Sequence, residues 1–330
     1  HGPQAGAWDG LLGAQARAAL AARRAPDAEF HPTRLERFIA CPFVYLLRDV
    51  LGLEAPTEPG DSLEMDRLEF GTLAHRILQV VFRRVIDEGL DLDGALAALG
   101  VACDIACAEA ERRGVTGAAL AWEVTREILR EDLETVVRRD PVFKAGGGRP
   151  ELIEWRFGEG AGVPVVLELE GGRVARFAGR VDRVDATPEG VRVIDYKTGS
   201  GDAERRGLRE GLSVQLPVYQ LAVRRREGAV QGTVTSLYRL VTRRGGFDDL
   251  GLAVDEAQAL KRLRDLVGQA LGLIEAGVFP RTTRGRCDSC DVGYACGVSA
   301  WVRARKREHG GFEPVVRLQS PAPREGQRGA

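Results

Sequence analysis

The chain has 330 residues, 44% of them hydrophobic, with 47 Lys and Arg against 48 Asp and Glu and a formal net charge of −1. That length holds one large or two ordinary domains with a real core, and the near-zero charge excludes a polyelectrolyte tail. No apolar stretch reaches the length of a membrane helix, His1-Gly2-Pro3 is neither an initiator Met nor a signal peptide, and six cysteines are too few for a disulfide scaffold. The expectation is a soluble piece of a longer chain in a reducing compartment, its cysteines spaced for metal ligation.

Residues 1–29, rich in Ala and Gly, read as a linker or arm with a short helix near Ala14 to Arg24. Thr33 then reads as the N-cap of a helix with Leu35 and Phe38 on one face, interrupted at Cys41-Pro42-Phe43 before Val44 to Val50. His31 has no visible partner and reads as structural; Cys41 by itself reads as core. Leu53 to Asp66 is an acidic, Pro-containing loop, and a helix from about Arg67 to Ile86 turns Leu73, Ile77, Val80 and Val81 toward a core with His75 among them. Residues 91–139 read as a helical insertion broken at Gly114 to Gly117. Its Cys103 and Cys107 share a face, where packing is favoured over a site with only two ligands. Lys144 to Pro150 is a Gly-rich loop, and no G-x-x-x-x-G-K-[ST] phosphate cradle occurs anywhere.

Strands follow at Leu152–Phe157, Val163–Glu170 and Arg173–Asp185, and the turn Thr187-Pro188-Glu189-Gly190 leads into Val191 to Lys197. Alternate strand residues share a face, so Asp195 and Lys197 project together while Tyr196 points away. A hairpin brings Asp182 toward Asp195, and two converging carboxylates repel unless a cation sits between them; hard oxygen donors suit Mg²⁺. Such an arrangement fits phosphodiester hydrolysis, with Lys197 orienting water or stabilising developing charge. The bland alternative, a surface hairpin of ordinary ion pairs, is weakened by the scarcity of lysine here. Asp185 falls on the opposite strand face.

After Gly199 a Gly- and Arg-rich loop precedes a helix from about Leu212 to Arg226, with Gln215 and Tyr219 one turn apart and Leu216 and Leu221 burying it. Gln215 there suits a phosphate or a bound water, and Tyr219 suits stacking or hydrogen bonding on nucleic acid. A strand over Thr233–Val241 and a helix over Asp255–Ala276 complete a mixed α/β pattern. Then come Cys287, Cys290 and Cys296, for which a fourth thiolate is needed. Residues 310–330 read as a disordered tail. Arg205-Arg206, Arg224 to Arg226 and Arg303 to Arg307 are local basic runs, either phosphate contacts or solvated faces.

The runs Gly179-Arg180-Val181-Asp182-Arg183-Val184-Asp185 and Val193-Ile194-Asp195-Tyr196-Lys197-Thr198-Gly199 resemble the RecB-type branch of the PD-(D/E)XK nuclease superfamily. Glu69-Phe70-Gly71-Thr72-Leu73-Ala74-His75 resembles its upstream histidine motif, and Gln215-Leu216-Pro217-Val218-Tyr219 its downstream Gln-x-x-x-Tyr helix. The likeness runs from about Phe30 to Arg307, and Cys41-Pro42-Phe43 with the element order is most similar to the nuclease part of AddB-type helicase–nuclease subunits. It implies an α/β restriction-endonuclease-like core with a mixed central sheet over residues 30–309. It also implies catalytic roles for Asp182, Asp195, Lys197, His75, Gln215 and Tyr219, and Mg²⁺ or Mn²⁺ held by His75, Asp182, Asp195 and the Tyr196 carbonyl. Glu154 and Asp185 are lesser candidates.

The same resemblance supplies Cys41 as fourth ligand to Cys287, Cys290 and Cys296 for a 4Fe–4S cluster that staples the core to its C-terminal part, residues 281–300; zinc suits four thiolates too. Implied partners are single-stranded DNA or DNA ends and a helicase or translocase subunit, in the bacterial cytoplasm at the nucleoid and with no membrane role. Rival readings are a non-catalytic DNA-binding scaffold on the same fold, and a stand-alone CRISPR-adaptation nuclease.

Overall fold

The structure, a computed structural model, describes residues 6–23, 28–54, 63–160, 162–226, 231–281, 287, 290–296 and 310–320. In chain order the first helix, α1, is Ala14–Arg23; β1 is Glu29–Phe30; α2 is Pro32–Ala40; and α3 is Pro42–Tyr45, which continues as a π-helical turn over Leu46–Val50. Three long helices follow, α4 (Arg67–Glu88), α5 (Leu92–Arg113) and α6 (Ala119–Arg139). Strands β2 (Arg149–Phe157), β3 (Val165–Glu168), β4 (Val174–Phe177), β5 (Gly179–Thr187) and β6 (Gly190–Lys197) come next. Then come α7 (Asp202–Glu210), α8 (Gln215–Arg224), β7 (Thr233–Leu240), β8 (Asp249–Gly251), α9 (Glu256–Glu275), α10 (Gly293–Cys296) and α11 (Glu313–Leu318).

Aspartates start α4, α5 and α9 by accepting an orphan amide of the first turn: Asp66 from Leu68 at 2.7 Å, Asp91 from Gly94 at 2.9 Å and Asp255 from Gln258 at 2.8 Å. The central sheet has the order β2-β5-β6-β7-β8, with β6 and β7 parallel and the other pairs antiparallel. A parallel neighbour needs a crossover, and α7 and α8 supply it. A second sheet, β1-β4-β3, packs beside it. Val184, Val193, Val214 and Val218 belong to a core shared with α2 and α9; Ile153, Ile194 and Tyr196 belong to another shared with α4, α5 and α6. This is the expected mixed sheet flanked by helices.

The α4–α6 side of the sheet carries a buried charge network. Arg183, 0% exposed, donates to Asp185 (2.6 and 2.7 Å) and Asp140 (2.7 and 3.0 Å) and reaches the Tyr196 hydroxyl at 3.3 Å. Arg239 adds a 2.7 Å bond to Asp140 and a two-pronged contact to Asp249. The guanidinium of Arg183 lies 3.8 Å from the centre of the Phe82 ring on α4, so the cation is covered as well as paired. Burial pushes the Asp185 carboxyl above its ordinary value despite Arg183.

Several expectations change. The strand expected over Arg173–Asp185 divides at Ala178 into β4 and β5, which lie in different sheets. A Cβ on Gly179 would come within 2.9 Å of the Phe157 ring, so the sheet change occurs where one residue has no side chain. The Gly- and Arg-rich loop contains α7, and helix α8 starts at Gln215 rather than Leu212. The N-cap of α2 is His31, with Pro32 in the first turn. Val80 is exposed, and Leu78 takes its place in the core.

The arm is docked: Phe279 N–H donates to Gly10 O at 2.7 Å and Leu12 N–H to Gly277 O at 2.9 Å. Gly10 has φ +91°, and a Cβ there would meet Phe279 O at 1.9 Å, which only glycine avoids. Residues 310–320 of the expected tail are ordered, because Val315 and Leu318 lie one turn apart and bury against α9 while Gln319 Nε2 bonds Ile39 O at 2.6 Å. Cys103 and Cys107 are buried packing residues. Arg224 pairs with Glu256, Arg225 bonds Val166 O and Arg226 pairs with Glu151, so that basic run is spent internally. Residues 303–307 lie outside the described set.

Candidate active site

The antiparallel register pairs Arg183 with Ile194, which sets Asp182 beside Asp195 on the sheet face opposite the Arg183 network. Asp182 Oδ2 accepts the Tyr196 N–H at 2.8 Å and stands 3.4 Å from His75 Nδ1. His75 comes from α4, one turn past Gly71, and its ring meets Tyr196 edge-on at 5.9 Å. Asp195 Oδ2 lies 2.6 Å from Lys197 Nζ. One residue then joins the pair: Gln215 Nε2 donates to Asp195 Oδ1 at 2.7 Å, and its Oε1 accepts from Lys197 Nζ at 3.1 Å.

Electrostatics follow from burial. The Asp195 carboxyl is pushed up to about 6 by loss of solvent, with Lys197 pulling it down and Asp182 pushing it further up. Burial also acts on Asp182, but His75 and the Tyr196 amide outweigh it and hold that carboxyl below its ordinary value. For His75 burial works against protonation, and the Asp182 contact reverses it, so the imidazole is more basic than usual. Lys197 loses solvent too, yet Asp195 keeps its ammonium more basic than usual.

The donor set fits a hard divalent cation. Asp195 Oδ2 is buried and accepts no aligned hydrogen bond, although the Lys197 ammonium is adjacent. Asp195 lines the same cavity of about 450 Å³ as Asp182 and His75, so carboxylate and imidazole donors border one space. Among the described residues no three His, Cys, Asp or Glu side chains already converge on one point.

The structure separates the other candidates. Glu154 is opposite Asp182 on β2, has φ 55° in the middle of a strand, and pairs with Arg180 at 2.7 Å. An L residue held at positive φ stores strain of a kind often found beside functional groups. Asp185 belongs to the Arg183 network and not to this site. Tyr219 is 5% exposed; its hydroxyl receives the Gln215 amide at 3.1 Å and its ring packs edge-on against Phe157. It contacts Gln215 and lines the same cavity as Asp182 and Asp195. His31, which looked partnerless, bonds Glu159 at 2.7 Å on the cavity rim.

Sequence reasoning overlooked Glu36. From α2 it lies at the start of α8, in the wall of a second cavity of about 710 Å³ that shares Lys197 and Gln215 with the first. Its only signal was an acidic residue within a short helix, which every surface helix has.

Cys41, Cys290 and Cys296 pack against one core. Cys41 ends α2, and the Cys290 thiol is pushed up by burial and by the neighbouring Cys41 and Cys296. Cys290 N–H reaches Cys287 O at 3.4 Å. Arg48 pairs with Asp291 at 2.6 Å and the Tyr294 hydroxyl donates to Glu54 O at 3.0 Å, so the two ends of the core meet there.

The PD-(D/E)XK nuclease superfamily profile matches residues 29–297. The chain belongs to that superfamily. Similar curated proteins include bacterial ATP-dependent helicase/deoxyribonuclease subunits B. That of Desulforudis audaxviator is 27% identical over 74% of this chain and 24% of its own length. Those of Acetivibrio thermocellus and Symbiobacterium thermophilum are 28% and 32% identical over 62% and 58% of this chain, and 18% and 17% of their own. The chain thus spans about a fifth of these relatives. A solved structure titled "Crystal structure of SSO0001" aligns over 79% of this chain and 95% of that one at 16% identity and a TM-score of 0.25. No helix among the described residues is long and apolar enough to cross a membrane.

Proposed function

We propose that this chain is the nuclease domain of a bacterial helicase–nuclease, hydrolysing single-stranded DNA at or near ends with Mg²⁺ or Mn²⁺ during double-strand-break processing in the cytoplasm. The observation that carries the reading is the Gln215 bridge, which holds a carboxylate and an ammonium side by side next to a second carboxylate. Surface ion pairs are not built this way, because a buried amide that satisfies both members fixes their geometry. The relatives' names support DNA as substrate and a translocating partner, since each is an ATP-dependent helicase/deoxyribonuclease subunit.

Asp182, Asp195, His75 and the Tyr196 carbonyl are the groups that would hold the cation. When bound, it supplies Lewis-acid polarisation of the phosphodiester. The chain's own residues do the rest. Lys197, kept protonated by Asp195, offers positive charge where negative charge develops on the phosphate. Gln215 prevents Lys197 from swinging away, and Tyr219 keeps the Gln215 amide turned toward Asp195. His75, with Nδ1 committed to Asp182, has only Nε2 left for a cation or solvent. Cys41, Cys287, Cys290 and Cys296 hold a 4Fe–4S cluster, or zinc, as a staple outside the chemistry; the packing of Cys41, Cys290 and Cys296 against one core supports this.

The test is cleavage of an end-labelled single strand with Mg²⁺. Asp195→Ala and Lys197→Ala should each cost a hundredfold or more in kcat, as is common for a group acting in the transition state. Full activity in either purified variant removes this site from the account.

A further inference from the structure

The helix that carries Gln215 begins without a cap of its own. Its N-cap residue, Val214, has no side chain able to accept a first-turn amide, yet this turn aims a side chain that touches both Asp195 and Lys197. The missing acceptor comes from 179 residues away in sequence. Glu36 Oε1 receives the Gln215 N–H at 2.9 Å and the Val214 N–H at 2.8 Å, and Ser213 Oγ lies 3.5 Å from the same oxygen. A carboxylate at this end of a helix also meets the positive end of its dipole.

We infer that Glu36 is a positioning residue for cleavage: it caps the Gln215 helix from α2 and so fixes where the Gln215 amide holds Asp195 and Lys197. This rests on the nuclease reading above. The main chain of Gln215 is held by one carboxylate and its side chain holds another, so the residue is a rigid link between Glu36 and the site. Without Glu36 the first turn of α8 has two amides with no acceptor at the edge of a cavity, and water replaces the carboxylate without fixing an angle. Gln215 then keeps its chemistry but loses its aim. A misplacement on the order of 1 Å at a reacting centre costs about a hundredfold in rate.

Glu36→Gln retains an oxygen acceptor for both amides and removes the charge, whereas Glu36→Ala removes both. The expected results are kcat lowered roughly ten- to hundredfold in Glu36→Ala with KM for single-stranded DNA unchanged, and recovery to within a few-fold of wild type in Glu36→Gln. Because Glu36 acts through Gln215, adding Glu36→Ala to Gln215→Ala should produce no further loss. A second readout needs neither cation nor DNA: the Gln215 side-chain amide resonance, identified by its absence in Gln215→Ala, should shift in Glu36→Ala and stay in place in Glu36→Gln.

Multiplicative losses in the double variant, or equal losses in Glu36→Gln and Glu36→Ala, overturn the inference, as does an amide resonance unmoved by Glu36→Ala. If the wild-type protein cuts no better than Asp195→Ala, the nuclease reading has failed, and the resonance still decides the link from Glu36 to Gln215.

Discussion

Replacing Asp140 by Ala tests how much of the site's support lies on the far face of the sheet. Asp140 accepts Arg183 Nη1 at 2.7 Å, Arg183 Nη2 at 3.0 Å and Arg239 Nη1 at 2.7 Å, and its side chain, like that of Arg183, is 0% exposed. Breaking a buried pair by removing one partner costs about 3–5 kcal/mol because a charge is left without compensation. Both guanidiniums keep a second carboxylate, Asp185 for Arg183 and the 41%-exposed Asp249 for Arg239. The expected cost is therefore at the low end, about 3 kcal/mol, and in a chain of this size each kcal/mol moves the melting temperature by about 2 °C, giving a drop on the order of 6 °C. Thermal unfolding followed by circular dichroism measures it.

The pH dependence of the gap has a definite sign. Burial raises the Asp140 carboxyl, but the Arg183 and Arg239 charges outweigh it and hold it below its ordinary value. A carboxyl with a depressed folded-state pKa adds stability above the unfolded value, about 4, and loses it as pH falls through the folded value. The wild-type advantage over Asp140→Ala should be complete at neutral pH and close in acid below about pH 4. A neutral-pH difference under about 0.5 kcal/mol would show that the network is not compensating buried charge.

His75→Ala should slow cleavage about tenfold or more while leaving affinity for single-stranded DNA similar, because the imidazole contacts Asp182 and lines the cavity. Equal turnover across a Mg²⁺ titration would return this histidine to a packing role. Cys41→Ser should bleach the brown, anaerobically purified protein and lower its melting temperature, since ligation from α2 to the 287–296 segment closes a very long loop worth a few kcal/mol. Zinc without iron or sulfide would dismiss the cluster and spare the staple; an unchanged melting temperature would dismiss both.

The carboxylate hairpin was legible in the sequence because strand periodicity of two decides which residues share a face, and neither Asp182 nor Asp195 needs distant information to be placed. Gln215 and Tyr219 were legible for the same kind of reason, four residues apart on one helix. Their contact with each other was not: the Gln215–Tyr219 hydrogen bond depends on how the ring packs against Phe157. Asp140 and Arg239 look like surface charges until the fold brings them together across 99 residues. Glu36 is invisible for the same physical reason, since a cap supplied by another helix leaves no mark near the helix it caps. The division between β4 and β5 was hidden because Val174 to Phe177 and Arg180 to Asp185 both read as strand, with only Ala178-Gly179 between them. Helix α7 was hidden by its glycine and arginine content, which reads as loop.

The separation of Glu36 from Gln215 also orders events in time. Asp182 and Asp195 sit on a hairpin whose strands are joined by a tight turn, so their pairing closes a short loop, whereas the α2–α8 contact must close one of 179 residues. During refolding the β5–β6 amides should gain exchange protection before those of Val214 and Gln215, and simultaneous protection in pulse labelling would refute that order. In that order a folding chain pairs its two carboxylates before the α2–α8 contact holds the first turn of the Gln215 helix.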